Sequence, residues 1–284
     1  MDYTNSHALV DTAWLAENLD NAEVRAIDAT FFLPTVARDA SAEFTQCHIP
    51  GAVFFDINAV ADKNTDLPHM LPDAATFGRE VGRLGIGNAT NVVVYDVHGG
   101  CAAAARLWWT FRLFGHQRVA VLDGGLPKWR REGRATESGT PSPDEKRFAA
   151  TMNPAMVRGV DDLLANIASR AEQVVDARSA GRFVGADAEP RPAKKAGHIP
   201  GSLNLPFNDL MDPDAGVVRP ADEIAAAFDG AGVDRSRPIV TTCGSGVTAA
   251  FLSFGLYLIG VENAAVYDGS WAEWGNHADT PVET

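Results

Sequence analysis

The first candidate for chemistry is a cysteine at a strand end. Cys243 lies in "IVTTCGSGVTAAFLSFGLYLIG" (239–260), which reads as a buried strand, a loop punctuated by glycines and a strongly apolar helix. A cysteine kept only for packing needs no glycines after it. Gly244 and Gly246 let the backbone curl, so that N–H groups of Gly244, Gly246, Val247 and Thr248 can turn toward the sulfur. The helix N-terminus and such a nest both favour an anion: thiolate over thiol, and equally a persulfide carried on the sulfur. A nucleophile set in preorganised donors is a catalytic arrangement. Phosphatase loops share this plan, but they need an arginine six residues after the cysteine to grip phosphoryl oxygens as a fork. That place holds Ala249.

The elements that must position Cys243 occur twice. "VRAIDAT" (24–30) matches "QVVDARS" (173–179), "CHIPGAVFFDI" (47–57) matches "GHIPGSLNLPF" (197–207), and "NVVVYD" (91–96) matches "RPIVTTC" (237–243). "WWTFRLFGHQRVAVLDGGLPKW" (108–129) matches "LSFGLYLIGVENAAVYDGSWAEW" (252–274). The offsets run from 145 residues (123 to 268) to 150 (48 to 198), which means two tandem domains of one fold. Short Val/Ile-rich runs alternating with helical patterns predict α/β domains, each with a mainly parallel central sheet flanked by helices. The expected layout is an N-terminal domain over 1–137, a linker over 138–157 rich in Pro, Ser, Thr and charge, and a C-terminal domain over 158–284. Ligands collect at the C-terminal ends of parallel strands, where the second domain offers Cys243. The first has Asp96 there and only later Cys101, so the duplication has one reactive edge and one silent edge.

Bulk properties narrow the function. The chain has 284 residues, 46% hydrophobic and 21% charged, the composition of a globular protein. A net charge of −13 argues against nucleic acid and acidic membranes as partners. No apolar run approaches the roughly 20 residues of a membrane span, and "MDYTNSHALVDTAWLAENL" does not resemble a secretory signal. Cys47, Cys101 and Cys243 are odd in number and show no C-x-x-C spacing, which suits a reducing cytoplasm better than a disulfide framework or zinc site.

"CGSGVTA" (243–249), the paired "HIPG" segments and the paired "DG(G/S)-x-x-x-W" segments resemble the two-domain rhodanese family of sulfurtransferases over essentially the whole chain. The resemblance implies a catalytic C-terminal domain and no metal or organic cofactor. Members acting on thiosulfate carry basic residues straight after the cysteine, whereas C-G-S-G-V-T-A is similar to those acting on 3-mercaptopyruvate. The physics agrees: thiosulfate is a compact dianion, while mercaptopyruvate keeps its carboxylate away from its thiol. That carboxylate then needs a planar fork of donors elsewhere. In similar enzymes two arginines in the contexts "GRF" and "EPR" hold the substrate; they map to Arg182 and Arg191, while Arg178 in "DAR" reads as structural. Both substrate arginines could instead pair with Asp187 or Glu189.

The resemblance further implies that the loop serine, Ser245, works with a histidine and an acid from the first domain. "PHMLP" places His69 at the histidine. The acid position falls at Asn58, which can orient an imidazole but not stabilise its charge, leaving Asp56 or Asp62 as substitutes. His48 and His198 occupy one place in both repeats and should brace the "HIPG" turns, and the tryptophans at 108, 109, 129, 271 and 274 should be core. The implied activity moves the sulfur of 3-mercaptopyruvate through a Cys243 persulfide to a thiol such as thioredoxin, or to cyanide, and releases pyruvate. The alternatives are a thiosulfate:cyanide sulfurtransferase, and a persulfide carrier or redox-sensing protein with little turnover.

Overall fold

A computed structural model describes residues 2–100 and 102–284; Cys101 lies outside them. Its two central sheets are wholly parallel. The first contains β1 (Leu9–Val10), β2 (Val24–Asp28), β3 (Val53–Phe54), β4 (Asn91–Tyr95) and β5 (Val119–Leu122), in the order β1-β5-β4-β2-β3. The second contains β6 (Val157–Arg158), β7 (Gln173–Asp176), β8 (Leu203–Asn204), β11 (Ile239–Thr242) and β12 (Ala264–Tyr267), in the equivalent order β6-β12-β11-β7-β8. Between β8 and β11 a short antiparallel pair, β9 (Met211–Asp212) and β10 (Val217–Val218), leans on the first domain: the Val218 N–H donates to Asp123 Oδ1 at 2.9 Å.

The central strands read "VVVY" and "IVTT" because helices cover both faces of each sheet, so alternate residues have no wet side to turn toward. β4 is buried from Val92 to Tyr95 and β11 throughout. The helices that follow, Ala103–Leu113 and Val247–Leu258, are apolar nearly all round for a related reason. Each covers its own sheet with one face and meets the other helix with the opposite face. Trp108 sets its ring edge-on to Phe254 at 4.7 Å, and the Arg112 guanidinium lies 3.6 Å above the Tyr257 ring. One hydrophobic core therefore runs from Val92 and Phe111 through to Phe254 and Ile239, and the five tryptophans of the two repeats are buried within the fold. Truncating Trp108 to alanine would cost about 3–5 kcal/mol.

Residues 138–153 form no helix or strand. They run back along the first domain, where the Lys146 N–H donates to Gly82, the Thr151 N–H donates to Phe114, and Phe148 packs edge-on to Phe77 and Phe111. Gly78 and Gly82 make this possible, because a Cβ at either would meet the segment's carbonyls at 2.8 and 2.4 Å. The "HIPG" turns are braced alike in both halves: His48 Nδ1 lies 2.7 Å from the Phe44 carbonyl and His198 Nδ1 2.9 Å from that of Phe183, each imidazole stacked on the phenylalanine.

Candidate active site

Cys243 stands one residue past β11 and is buried. Its backbone is clamped by the start of the short helix Ser270–Trp274 that follows β12. The Trp271 N–H donates to the Cys243 carbonyl at 2.9 Å, the Ala272 N–H donates to Gly244 at 2.9 Å, and Ser270 Oγ accepts the Cys243 N–H at 3.2 Å. Ser270 is buried in the left-handed region, φ 49°, a conformation that favours glycine. Its hydroxyl, donating to the Tyr267 carbonyl, holds it there. Gly246 caps the helix at φ 76°, where a Cβ would strike the Asp268 carbonyl at 2.7 Å and the Arg106 guanidinium at 2.8 Å. The first turn of the helix, with N–H groups that lack intrahelical acceptors, thus follows an N-cap only three residues after the cysteine.

The repeat shows what such a turn holds. Asp96 takes the place of Cys243, and its carboxylate fills the corresponding cradle: Oδ1 accepts the His98 and Gly100 N–H groups at 2.8 Å each, and Oδ2 the Ala104 N–H at 3.0 Å. The first domain's cradle is thus occupied by its own side chain. The reactive edge has instead a sulfur facing a cavity of about 280 Å³.

Arg182 and Arg191 line that cavity together with Cys243, Gly244, Ser245, Val247 and Thr248. Arg182 lies so close over the loop that a Cβ on Gly244 would meet its Nη2 at 2.8 Å. It is also tied to Glu189, whose Oε2 accepts from both its Nε and Nη2, while Oε1 accepts from Arg178 Nη1 at 2.7 Å. Arg178 is buried, forked onto Asp176 and set 4.2 Å over the Trp271 ring. Burial opposes its charge, but Asp176 and Glu189 hold its pKa above the ordinary value. It braces the wall and does not reach into the cavity. Asp187 takes no part in the arginine pairs.

His69 departs from the expected relay. It is buried, with φ 61°, and does not line the cavity. Arg191 stands between it and the loop serine: Nη2 donates to His69 Nε2 at 2.8 Å and Nη1 to Ser245 Oγ at 3.4 Å. Burial, then Arg191 and then Arg106 lower the His69 pKa to about 3. The imidazole is therefore neutral, with Nε2 the acceptor and the proton on Nδ1. None of the three residues proposed to support it does so. Asp56 caps the short helix Ile57–Val60, Asp62 accepts from Asn64, and the Asn58 carbonyl accepts from Lys63. What faces His69 is cationic, together with the edge of Phe31 at 4.5 Å. Burial also lowers Arg191, against the opposing pull of Cys243.

Two groups invisible to motif reading join the halves of the site. Arg106, on the first domain's apolar helix, donates to the Gly246 carbonyl (3.1 Å), the His69 carbonyl (2.9 Å) and Asp268 Oδ1 (2.6 Å). Asp268 Oδ2 accepts the Leu71 N–H at 2.9 Å. Both charged groups are buried. A second surprise is the apolar wall of Phe31, Phe32, Leu33 and Val36, with His98 and Ala102 beside it. These come from loops at the silent edge, which borders the cavity instead of standing apart from it. The run "TFFLPTV" directly after a strand was the available signal.

Among the described residues, no group of three or more His, Cys, Asp or Glu is placed to hold a metal ion, and no helix is long and apolar enough to cross a membrane. The chain matches the rhodanese-like domain twice, over residues 11–132 and 159–277. It is 44% identical to human 3-mercaptopyruvate sulfurtransferase, with 94% of this chain and 91% of the human protein covered. It is also 42% identical to rat thiosulfate sulfurtransferase, over 98% of this chain and 94% of that one. The crystal structure of the 3-mercaptopyruvate sulfotransferase SseA from Escherichia coli superposes with a TM-score of 0.85 at 40% identity, covering 94% of this chain and 99% of that one. With both halves matched and the fold shared end to end, this chain belongs to the rhodanese family of sulfurtransferases.

Proposed function

We propose that the protein is a 3-mercaptopyruvate sulfurtransferase, acting in the cytoplasm through a persulfide on Cys243. The observation that carries this reading is the position of Arg182. The space directly over Gly244, where a basic side chain following the cysteine would meet a thiosulfate dianion beside the sulfur, is taken by Arg182 of the short helix Ala180–Phe183, whose charge is already shared with Glu189. Arg178 is taken up by Asp176 and Glu189, and Arg182 by Glu189, which leaves Arg191 as the cavity-lining guanidinium with no carboxylate partner among the described residues. One such fork suits a monocarboxylate.

In this reading Arg191 and the outward donors of Arg182 hold the substrate carboxylate and ketone. The Cys243 thiolate attacks the substrate sulfur, the C–S bond breaks, and its electron pair passes into the pyruvate enolate. The enolate takes up a proton and leaves as pyruvate; the thiol proton of the substrate balances the step. The loop N–H groups of Gly244, Gly246, Val247 and Thr248 receive the persulfide anion, as their counterparts receive Asp96. A thiol acceptor such as thioredoxin, or cyanide in vitro, then collects the outer sulfur. Ser245 contributes its hydroxyl at the loop. His69 is a positioning residue, fixing Arg191 from behind, and residues 1–137 supply it to the catalytic domain at 158–284.

The test compares pyruvate release from 3-mercaptopyruvate with thiocyanate release from thiosulfate and cyanide, for the wild type and Cys243→Ser. The expected result is strong mercaptopyruvate turnover that the variant loses. Comparable turnover of thiosulfate would move the assignment to that substrate. Sulfur uptake by Cys243 without pyruvate release would leave a carrier instead of an enzyme.

A further inference from the structure

The two domains share one frame, and at one place in it the first domain lacks what the second contains. The β2 and β7 registers equate Asp28 with Asp176, each paired with the last residue of its central strand, Tyr95 and Thr242. Leu126 corresponds to Trp271: their N–H groups donate to the carbonyls of Asp96 and Cys243. In the second domain Asp176 is answered by the Arg178 guanidinium, which lies against the Trp271 indole and also donates to the Gly197 carbonyl at 2.8 Å. In the first domain the residue two past the aspartate is Thr30, and the indole is replaced by Leu126.

Both replacements remove bulk, and a cavity of about 700 Å³ opens there, with Asp28, Thr30 and Leu126 in its wall and Arg38, Glu43, Arg130 and Arg131 also lining it. Asp28 is 2% exposed and forms no ion pair among the described residues; it accepts the Thr30 N–H at 2.8 Å. Burial raises its pKa to about 6, against the hydrogen bonds of Thr30 and Tyr95, and neighbouring Asp96 adds to the rise. Arg38 is neutralised by Glu43, whereas Arg130 and Arg131 are exposed and have no carboxylate partner among the described residues.

We propose that this cavity binds a small guanidinium compound carrying a carboxylate at its other end. The guanidinium occupies the place that Arg178 fills in the second domain and pairs with Asp28, and the carboxylate meets Arg130. The size suits a small ligand, since such sites span about 300–1,000 Å³. The buried charge calls for a planar cation with several donors.

The test titrates L-arginine into the full protein by calorimetry and ligand-observed NMR, beside agmatine, L-lysine and an arginine tripeptide blocked at both ends. L-arginine should bind saturably, with agmatine and L-lysine each at least tenfold weaker. Leu126→Trp, which refills the space, and Asp28→Asn should each weaken arginine binding at least tenfold while pyruvate release stays unchanged. If one variant does not fold, the other carries the same test. No saturable binding, equal affinity for L-lysine, or binding that survives the folded variants overturns the site. Tighter binding of the blocked tripeptide overturns the carboxylate contact and makes a partner's arginine side chain the occupant.

Discussion

Replacing His69 by alanine and by glutamine separates two accounts of this site. If the imidazole relays a proton, neither variant can do so, and both lose the same activity. The structure argues otherwise. With its pKa lowered from 6.5 to about 3, protonating His69 near neutrality is opposed by about 5 kcal/mol, at 1.36 kcal/mol per pKa unit. What His69 gives the site is an acceptor, Nε2, 2.8 Å from Arg191. A hydrogen bond to a charged group contributes about 1.5–3 kcal/mol, so His69→Ala should lower kcat/KM for pyruvate release by about 10- to 150-fold. Glutamine retains a side-chain acceptor and should stay within about tenfold of wild type. The assay is steady-state pyruvate release from pH 5.5 to 8.5, with NMR titration of the His69 ring. The wild-type ring should show no titration above pH 5, and Arg191→Met should raise its pKa by removing one of the two facing cations. A ring that titrates near 6.5, or equal losses in the two variants, refutes the reasoning.

Asp268→Asn leaves the Arg106 charge buried and unpaired, and should cost about 3–5 kcal/mol in urea denaturation, whereas substituting a surface pair such as Arg38–Glu43 should cost under about 1 kcal/mol. Gly246→Ala should abolish persulfide formation measured by cyanolysis, because its Cβ would meet the Asp268 carbonyl at 2.7 Å in a left-handed turn; a folded, active variant would overturn the tight-turn argument. Asp28→Asn should stabilise the unliganded protein at pH 7 by up to about 3 kcal/mol, from a carboxyl raised from 3.8 to about 6. The sign follows from proton uptake: between pH 4 and 6 the native state binds the proton and the unfolded state releases it. Wild-type stability therefore falls as pH rises through that window, and the gain from asparagine should disappear in melts below pH 4.

Much of this was legible in the sequence because it rests on local pattern. Buried parallel strands are unbroken Val/Ile runs, a cysteine followed by glycines marks a tight turn, and a repeat that holds its order with offsets of 145 to 150 residues marks a duplicated fold. The roles of Arg106 and Asp268 were not legible, because the contact between them exists only once two apolar helices meet across the domains. An arginine within "AAAARLWW" has no periodic signature of a partner 162 residues away. Arg191 was legible as a donor fork, but not its position between Ser245 and His69. Sequence spacing orders residues along the chain and does not say which side chain stands in front of which.

The duplication also bears on why one edge is proposed to react and the other is not. The two cradles share their strand, their following helix and the loop that clamps them from β5 or β12. They differ in what stands at the strand end and in the size of the loop behind it. Asp96 is followed by six residues before its helix and turns its carboxylate back onto three N–H groups among the described residues, so these donors are already taken. Cys243 is followed by three, and a single sulfur lacks the second acceptor of a forked carboxylate, so on the proposed mechanism the donors of the first helical turn serve an anion one sulfur further out. The clamping residue follows the same division. At the silent edge it is Gly125, where any Cβ would strike the Asp96 carbonyl at 2.3 Å, and at the reactive edge it is Ser270, strained but useful, because its hydroxyl fixes the Cys243 N–H. The first domain thus fills its own cradle with the Asp96 side chain, and it lends the second domain Phe31 as cavity wall and His69 as a partner for Arg191.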